Sequence, residues 1–174
     1  CSNMLPGVSE SNSLVQLRRQ LQRIAADPQV RGIVLHLRDV APGWATADSL
    51  RDALHQFRAQ GKYVLAYLPG ADTRGYLVAC AADTIVMPPV AYLNLLGLRV
   101  EAQFLRDTLK LVGIEAEVVA VSPYKSGGDA LTRSEMSPES REQLERILDQ
   151  RFERMLSAIA SDRGTTPDAV RTLI

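Results

Sequence analysis

Short apolar runs alternate with amphipathic segments along most of this chain, and glycine or proline separates them. Residues 32–37, 62–68 and 84–87 are apolar runs of strand length, so we predict three strands there. Between them, residues 46–60 carry apolar side chains at helical spacing and residues 76–82 are mostly small, and we predict two helices. A parallel pair of strands needs a crossover connection, which these helices provide. The pattern therefore predicts an α/β fold with parallel strands.

Further elements flank this alternation. Ser13 is a favoured N-cap residue, and apolar residues recur behind it at helical spacing, so we predict a helix over residues 13–26. After the third strand we predict a short strand over residues 92–95 and a helix over residues 101–112. The apolar run that follows predicts another strand over residues 114–121.

The longest predicted element is an amphipathic helix over residues 138–161. It follows Ser137-Pro138, which places a capping serine before a proline at the first helical position. Its apolar residues recur on one stripe along its whole length. Such a stripe braces the domain by default, and this one is long enough to contact another protomer as well.

The length of 174 residues and the 46% apolar content predict one globular domain, spanning residues 1–174. We expect a fragment of a longer chain, because a helix that starts at Thr166 is left after barely two turns. Cys1 would then be the cut edge of that chain, a residue added in cloning, or a lipidated cysteine left after signal removal.

Zero formal net charge and 5% aromatic content predict no binding of nucleic acid. No apolar run approaches the roughly 20 residues of a membrane span, so we expect this segment to be soluble.

Metal and cofactor chemistry have little support in the sequence. The two cysteines, Cys1 and Cys80, cannot form a metal site, and Cys80 falls in an apolar helical segment where we expect it to pack as a small hydrophobic residue. His36 lies in a predicted strand with no second His or Cys near it in sequence, which favours a structural histidine over a catalytic one. We predict no metal and no cofactor.

The most informative polar segment is the glycine-rich loop at residues 122–129, which reads Ser-Pro-Tyr-Lys-Ser-Gly-Gly-Asp. Of the 20 basic residues only Lys62, Lys110 and Lys125 are lysines, so arginine supplies most of the positive charge. Arginine does not release its proton near neutral pH, whereas a desolvated lysine amine does, as a general base must. Lys125 is therefore our candidate base. The alternative is a solvated loop lysine without a chemical role.

Three motifs resemble a known family. Residues 27–35 read DPQVRGIVL, residues 75–85 read GYLVACAADTI, and Tyr124-Lys125-Ser126 is followed by residues 133–138, RSEMSP. Together these motifs resemble the N-terminal half of signal peptide peptidase A (protease IV) in its long bacterial form, of peptidase family S49. The resemblance covers nearly the whole chain, and the Tyr-Lys-Ser motif with its downstream Met-Ser-Pro is the most specific part.

The resemblance implies a crotonase/Clp-protease-like domain built from ββα units. It also implies a serine–lysine endopeptidase that degrades cleaved signal peptides or other hydrophobic peptides, with Lys125 as the general base. Neighbouring residues of the loop are candidates for a supporting role, namely Tyr124, Ser126 and Gly127. An extended peptide substrate binding as an added strand is a recurring mode of recognition, and the turn at Pro42-Gly43 is a candidate edge of its groove.

The sequence departs from the family's short form at the position of the nucleophile. That form carries a Ser-Gly-Gly-Tyr turn, whereas this chain has Thr73 where the serine would fall and Arg74 where the first glycine would fall. The departure agrees with the long form, in which the C-terminal half supplies the serine. Thr73 is thus expected to lie near the substrate groove and not to act as a nucleophile. This chain would hold half of an active site.

The resemblance also implies partners and a location. We expect a peptide substrate, the C-terminal half with its serine, a homo-oligomer, and membrane association through segments outside this chain. The implied location is the periplasmic or extracytoplasmic side of the bacterial inner membrane. One alternative is a non-catalytic assembly module of an oligomeric ring. A second is an acyl-CoA-binding crotonase-type enzyme, which rests on analogy of fold alone.

Overall fold

The computed structural model describes residues 13–38, 43–119 and 121–174. Its strands are β1 (Gly32–His36), β2 (Tyr63–Tyr67), β3 (Ala71–Asp72), β4 (Thr84–Val86) and β5 (Leu93–Asn94). Its helices are α1 (Leu14–Ala26), α2 (Trp44–Ala59), α3 (Thr73–Cys80), α4 (Arg106–Leu111), α5 (Asp129–Thr132), α6 (Pro138–Arg163) and α7 (Pro167–Arg171), and a 3₁₀ turn spans Ser126–Gly128.

The main sheet consists of three parallel strands in the order β1-β2-β4. Gly32 pairs with Tyr63, and Leu65 pairs with Thr84. Helices α2 and α3 are the crossovers between successive strands, as parallel pairing requires. A second, two-stranded parallel ladder joins β3 to β5. The predicted α/β class with parallel strands is confirmed.

Among the described residues, one face of the main sheet is covered by helices and the other is open. Val64 and Ala66 of β2 are fully buried in the cluster that also contains Leu54 and Phe57 of α2. On the opposite face the side chain of Val34 is 72% exposed. Strand β1 is therefore covered on one face only. Parallel sheets are usually covered on both faces, so a surface of this kind is available for a partner.

Helix α3 connects the sheet to the C-terminal helices. Its Val78 and Ala79 belong to the cluster against the sheet, while Leu77 and Cys80 belong to a second cluster with α6 and α7. The small side chains predicted for residues 76–82 allow close packing, and the structure shows it on both sides of the helix. Cys80 is buried without a disulfide, and its role as a small hydrophobic residue is confirmed.

Helix ends follow the local chemistry of the sequence. The Ser13 side chain forms a capping box with Gln16 at the start of α1. Gly61, just after α2, has a φ of 75°, which favours glycine over residues with a Cβ atom. The Ser137 hydroxyl accepts a hydrogen bond from the Ser140 N–H, and Pro138 is the first residue of α6. These predicted boundaries are confirmed.

Two predicted elements between β5 and the glycine-rich loop differ in the structure. Residues 114–119 form no strand, and Ala120 lies outside the described residues. The predicted helix over residues 101–112 is reduced to α4, which has no buried residue. Strand propensity is realised only where a neighbouring strand accepts the backbone hydrogen bonds, and no such strand lies beside residues 114–119 within the described ranges. Val119 is accordingly 91% exposed.

A buried ion pair fixes the C-terminal end of α6 on α2. Arg51 donates a hydrogen bond of 2.6 Å to Asp162, whose side chain is 6% exposed. His55 Nε2 lies 3.1 Å from the other carboxylate oxygen of Asp162. Nearby, Met155 and Leu156 of α6 are buried against α3. The far half of α6 is therefore held by both apolar packing and charge.

We expect Asp162→Ala to lower the free energy of unfolding by about 3 kcal/mol, because it leaves the nearly buried Arg51 guanidinium without its counter-charge. Urea denaturation followed by circular dichroism measures this. The matched control is Glu153→Ala, which removes the exposed ion pair of α6 with Arg171 and should leave the midpoint unchanged. Equal midpoint shifts for the two variants would contradict a structural role for the buried pair.

None of the helices in the described part of the chain has the length and apolar character that crossing a bilayer requires.

Candidate active site

The glycine-rich loop is a compact series of turns. The Ser122 hydroxyl accepts a hydrogen bond of 3.3 Å from the Tyr124 N–H, and the Ser122 carbonyl accepts one of 3.0 Å from the Lys125 N–H. Lys125 then precedes the 3₁₀ turn, which continues directly into α5. Because turns hold the backbone on both sides, the Lys125 side chain projects from a defined position. It does not follow a strand, contrary to the expectation from residues 114–121.

Lys125 differs from Lys62 in what its amine contacts. Lys62 Nζ donates hydrogen bonds of 2.7 Å and 2.6 Å to the carbonyls of Asp27 and Val30, so it joins two loops. Lys125 is exposed, and its side chain makes no hydrogen bond or ion pair with any residue that the structure describes. The next residue, Ser126, lines an open groove together with Ser140 and other residues of α6. The amine is therefore available to a group outside this chain.

Two side-chain contacts join the loop to the start of α6. The Tyr124 hydroxyl donates to a Glu142 carboxylate oxygen over 3.3 Å at the surface. The negative charge of Glu142 raises the pKa of Tyr124 above its usual value. On the other side of Lys125, the Ser137 hydroxyl donates to an Asp129 carboxylate oxygen over 3.2 Å. Lys125 thus lies between two points of attachment to one helix.

The two loop glycines have different surroundings. A Cβ atom on Gly128 would lie 2.5 Å from Cγ1 of Val118, which is too close for any side chain. Gly127, a candidate supporting residue, has open space where a Cβ would stand. Gly128 is therefore the glycine that the close approach of residues 118 and 128 requires. The composition of the loop could not distinguish the two positions.

The Thr73 hydroxyl is engaged by backbone groups. Thr73 is the first residue of α3 and is 8% exposed. Its hydroxyl donates to the Leu96 carbonyl over 3.0 Å and accepts from the Leu96 N–H over 2.9 Å. Before it, the Asp72 side chain caps α3 by accepting from the Gly75 N–H over 2.8 Å. These contacts give Thr73 a structural role in holding residues 94–96 against α3.

We expect Thr73→Val to lower the free energy of unfolding of this chain by about 1 kcal/mol, since both Leu96 backbone groups lose a partner. Thr73→Ser, which keeps the hydroxyl, should restore most of that stability. Urea denaturation measures both changes. In the full-length protein, hydrolysis by folded Thr73→Val should stay within about threefold of the wild type. A folded Thr73→Val variant that has lost hydrolysis, with Thr73→Ser active, would instead indicate a nucleophile.

The other candidate residues have separate outcomes. Gly43 is the N-cap of α2, and its carbonyl accepts from the N–H groups of Thr46 and Ala47. Pro42 lies outside the described residues, so the predicted groove at Pro42-Gly43 stays a prediction.

Burial raises the pKa of Cys80 to about 12, which leaves the thiol protonated and excludes a thiolate nucleophile there. Within the described ranges, no group of three or more His, Cys, Asp or Glu side chains could hold a metal ion.

Sequence reasoning missed the two contacts that join the loop to α6, namely those of Asp129 with Ser137 and of Tyr124 with Glu142. Ser137 was identified only as a helix cap, although its hydroxyl also bonds Asp129. An acidic residue four positions after the candidate lysine was a signal that could have been used. Nothing in the sequence indicated that Glu142, 18 positions from Tyr124, would lie beside it.

The family model and the known proteins that this chain resembles are all those of peptidases. The model of peptidase family S49 matches residues 56–173. Serine protease SPPA, chloroplastic, from Arabidopsis thaliana is 33% identical over 93% of this chain and 24% of its own length. Protease 4 from Salmonella typhi is 27% identical over 91% of this chain and 26% of its own length, and Protease 4 from Haemophilus influenzae is 24% identical over 86% and 25%. The chain spans about a quarter of the length of these relatives.

Proposed function

The chain belongs to peptidase family S49, and from this premise we propose that it supplies the general-base lysine of a serine–lysine endopeptidase. The base is Lys125, and the nucleophilic serine comes from the absent C-terminal half. The observation that carries the proposal is the Lys125 amine, which is exposed on a loop fixed by turns and has no partner among the described residues. Its neighbours Tyr124, Ser126 and Gly127 are proposed as supporting residues.

The surroundings of Thr73 support a nucleophile from elsewhere. Its hydroxyl is held by both backbone groups of Leu96, so it has no free orientation toward a substrate carbonyl. A serine–lysine pair needs the amine to take the serine proton, which requires a neutral amine close to the hydroxyl. Lys125 is exposed in this chain. A partner that covers the loop would remove water from the amine and favour its neutral form.

Exposed apolar surface supports the C-terminal half as that partner. Val119 and Val121 lie on the approach to the Lys125 loop with their side chains almost fully exposed. Residues 114–119 have the composition of a strand and no neighbouring strand in the described part of the chain. We propose that the C-terminal half covers this segment and brings its serine to Lys125 in the same contact.

The proposed substrates are hydrophobic peptides, including cleaved signal peptides. The relatives are named as proteases, which supports hydrolysis of peptide bonds by the whole protein. Two of these relatives come from bacteria, which agrees with the proposed place at the periplasmic side of the bacterial inner membrane. Attachment to the membrane would use segments outside this chain, and cell fractionation of the full-length protein tests the location.

We further propose a homo-oligomer in which α6 contributes to the contact between copies. The N-terminal half of this helix has no buried apolar residue, and Ile147 on its apolar stripe is exposed. The same surface suits the alternative of a non-catalytic assembly module. Peptide hydrolysis by the full-length protein with and without Lys125 separates the two functions, because only the protease needs the amine.

A further inference from the structure

We propose that Asp129 is a positioning residue for Lys125 and that it acts through Ser137, the residue that caps α6. The inference rests on the proposed function, since it assigns Asp129 a role toward the lysine base. Asp129 does not touch the reacting atoms in this account. Its role is to fix the loop that carries the amine.

The contact between these residues uses the Ser137 hydroxyl in both directions. Ser137 Oγ donates to Asp129 Oδ2 over 3.2 Å and accepts from the Ser140 N–H over 3.2 Å. Ser137 is 2% exposed, and Asp129 is partly buried beside it. A hydrogen bond to a charged acceptor away from water is worth more than one at the surface. The start of α6 and the start of α5 are thereby joined at one point.

The backbone between Lys125 and Asp129 is short, and hydrogen bonds restrict its torsion angles. The 3₁₀ turn Ser126–Gly128 lies between them, and the Thr132 hydroxyl closes α5 by donating to the Gly128 carbonyl over 3.0 Å. On the other side of Lys125, the bond between Tyr124 and Glu142 is exposed, whereas that between Ser137 and Asp129 is partly buried. The position of Asp129 therefore decides the position of Lys125 more than the Tyr124 contact does.

Helix α6 connects the contact between Asp129 and Ser137 to the core. Its other half is fixed by the buried Leu156 and Ile159 and by the ion pair of Asp162 with Arg51. A 26-residue helix is a stiff element, so its start is placed once its end is packed. A base must lie within about 3 Å of the proton it takes, and a displacement of roughly 1 Å costs on the order of 10²-fold in rate.

The test is a double-mutant cycle in the full-length protein with a peptide substrate. Asp129→Ala removes the acceptor, together with the ion pair between Asp129 Oδ1 and the exposed Arg133, and leaves the cap of α6 intact. Ser137→Gly removes the hydroxyl, and glycine is tolerated at an N-cap. We expect each single variant to lower kcat about 10²-fold with KM within twofold, and the double variant to lower it no further. Asp129→Asn keeps an acceptor oxygen for Ser137 and should recover most of kcat.

Glu153→Ala is the control, because it removes an acidic residue from α6 far from the loop and should keep wild-type kcat. Melting temperatures identify any variant that fails to fold. If one single variant fails to fold, the other single variant tests the positioning role. Wild-type kcat in a folded Asp129→Ala, or losses that add in the double variant, would overturn the positioning role. Full activity in Lys125→Ala would overturn the proposed function itself, and the two failures are thus distinguishable.

Discussion

Lys125→Ala is expected to reduce peptide hydrolysis by the full-length protein on the order of 10³-fold, with little change in KM. General-base catalysis contributes about 10²- to 10⁴-fold, and an activated serine without its base loses most of its value. The Lys125 side chain is exposed and makes no hydrogen bond or ion pair with the described residues, so its removal should not lower the melting temperature. The assay is initial-rate hydrolysis of a hydrophobic peptide.

Two control variants decide what the lysine contributes. Lys125→Arg keeps the positive charge but cannot give up its proton near neutral pH, so it should be as inactive as Lys125→Ala. Lys110→Ala removes another exposed lysine, on α4, and should retain full activity. If Lys125→Arg retained wild-type kcat, the residue would act through its charge and would not be the base.

The 174-residue chain by itself is expected to show no peptide hydrolysis, whereas the full-length protein is expected to hydrolyse the same peptide. Nucleophilic catalysis needs an activated hydroxyl, a base about 3 Å from it, and donors for the oxyanion. Among the residues that the structure describes, the base has no hydrogen-bond or ion-pair partner, and the Thr73 hydroxyl is bound to Leu96. Joining the halves would bring the serine to Lys125 and also exclude water from the amine.

Peptide hydrolysis is measured for the isolated chain and for the full-length protein at equal concentration, each with its Lys125→Ala variant. Circular dichroism on the isolated chain establishes that its helices are formed during the assay. Turnover by the isolated chain that disappears in Lys125→Ala would reveal a nucleophile within these residues. Ser122, Ser126 and Thr73 would then be the residues to replace.

Elements that depend on local chemistry could be predicted from the sequence. Ser13 and Ser137 mark helix starts through side-chain hydrogen bonds to the next turn, and Gly61 marks a helix end through its positive φ. The strands of the main sheet were predicted because each apolar run is bounded by glycine, proline or charge and separated from the next by a helix.

Elements that depend on a distant partner could not be predicted. Residues 114–119 have the composition of a strand, but the described chain offers no neighbour to pair with them. Val34 has the side chain of a core residue and lies on the uncovered face of the sheet. The residue types of a segment determine which element it is able to form. The contacts available to the segment determine whether that element forms.

The same distinction applies to the candidate site. The loop and its lysine could be identified from residue types, because a lone lysine among arginines and glycines is a local signal. The contact of Asp129 with Ser137 depends on how α5 turns back onto α6, which is a property of the folded chain. The two contacts of the Thr73 hydroxyl with Leu96, 23 residues away, are likewise set by the pairing of β3 with β5.

In the proposed mechanism this chain provides the base, while the nucleophile lies outside it. The most direct measurement is to label the full-length protein with a fluorophosphonate probe and locate the modified residue by mass spectrometry of its peptides. The account predicts a single labelled serine outside residues 1–174, with labelling lost in Lys125→Ala. A label on Thr73, Ser122 or Ser126, or labelling at the wild-type rate without Lys125, would contradict it.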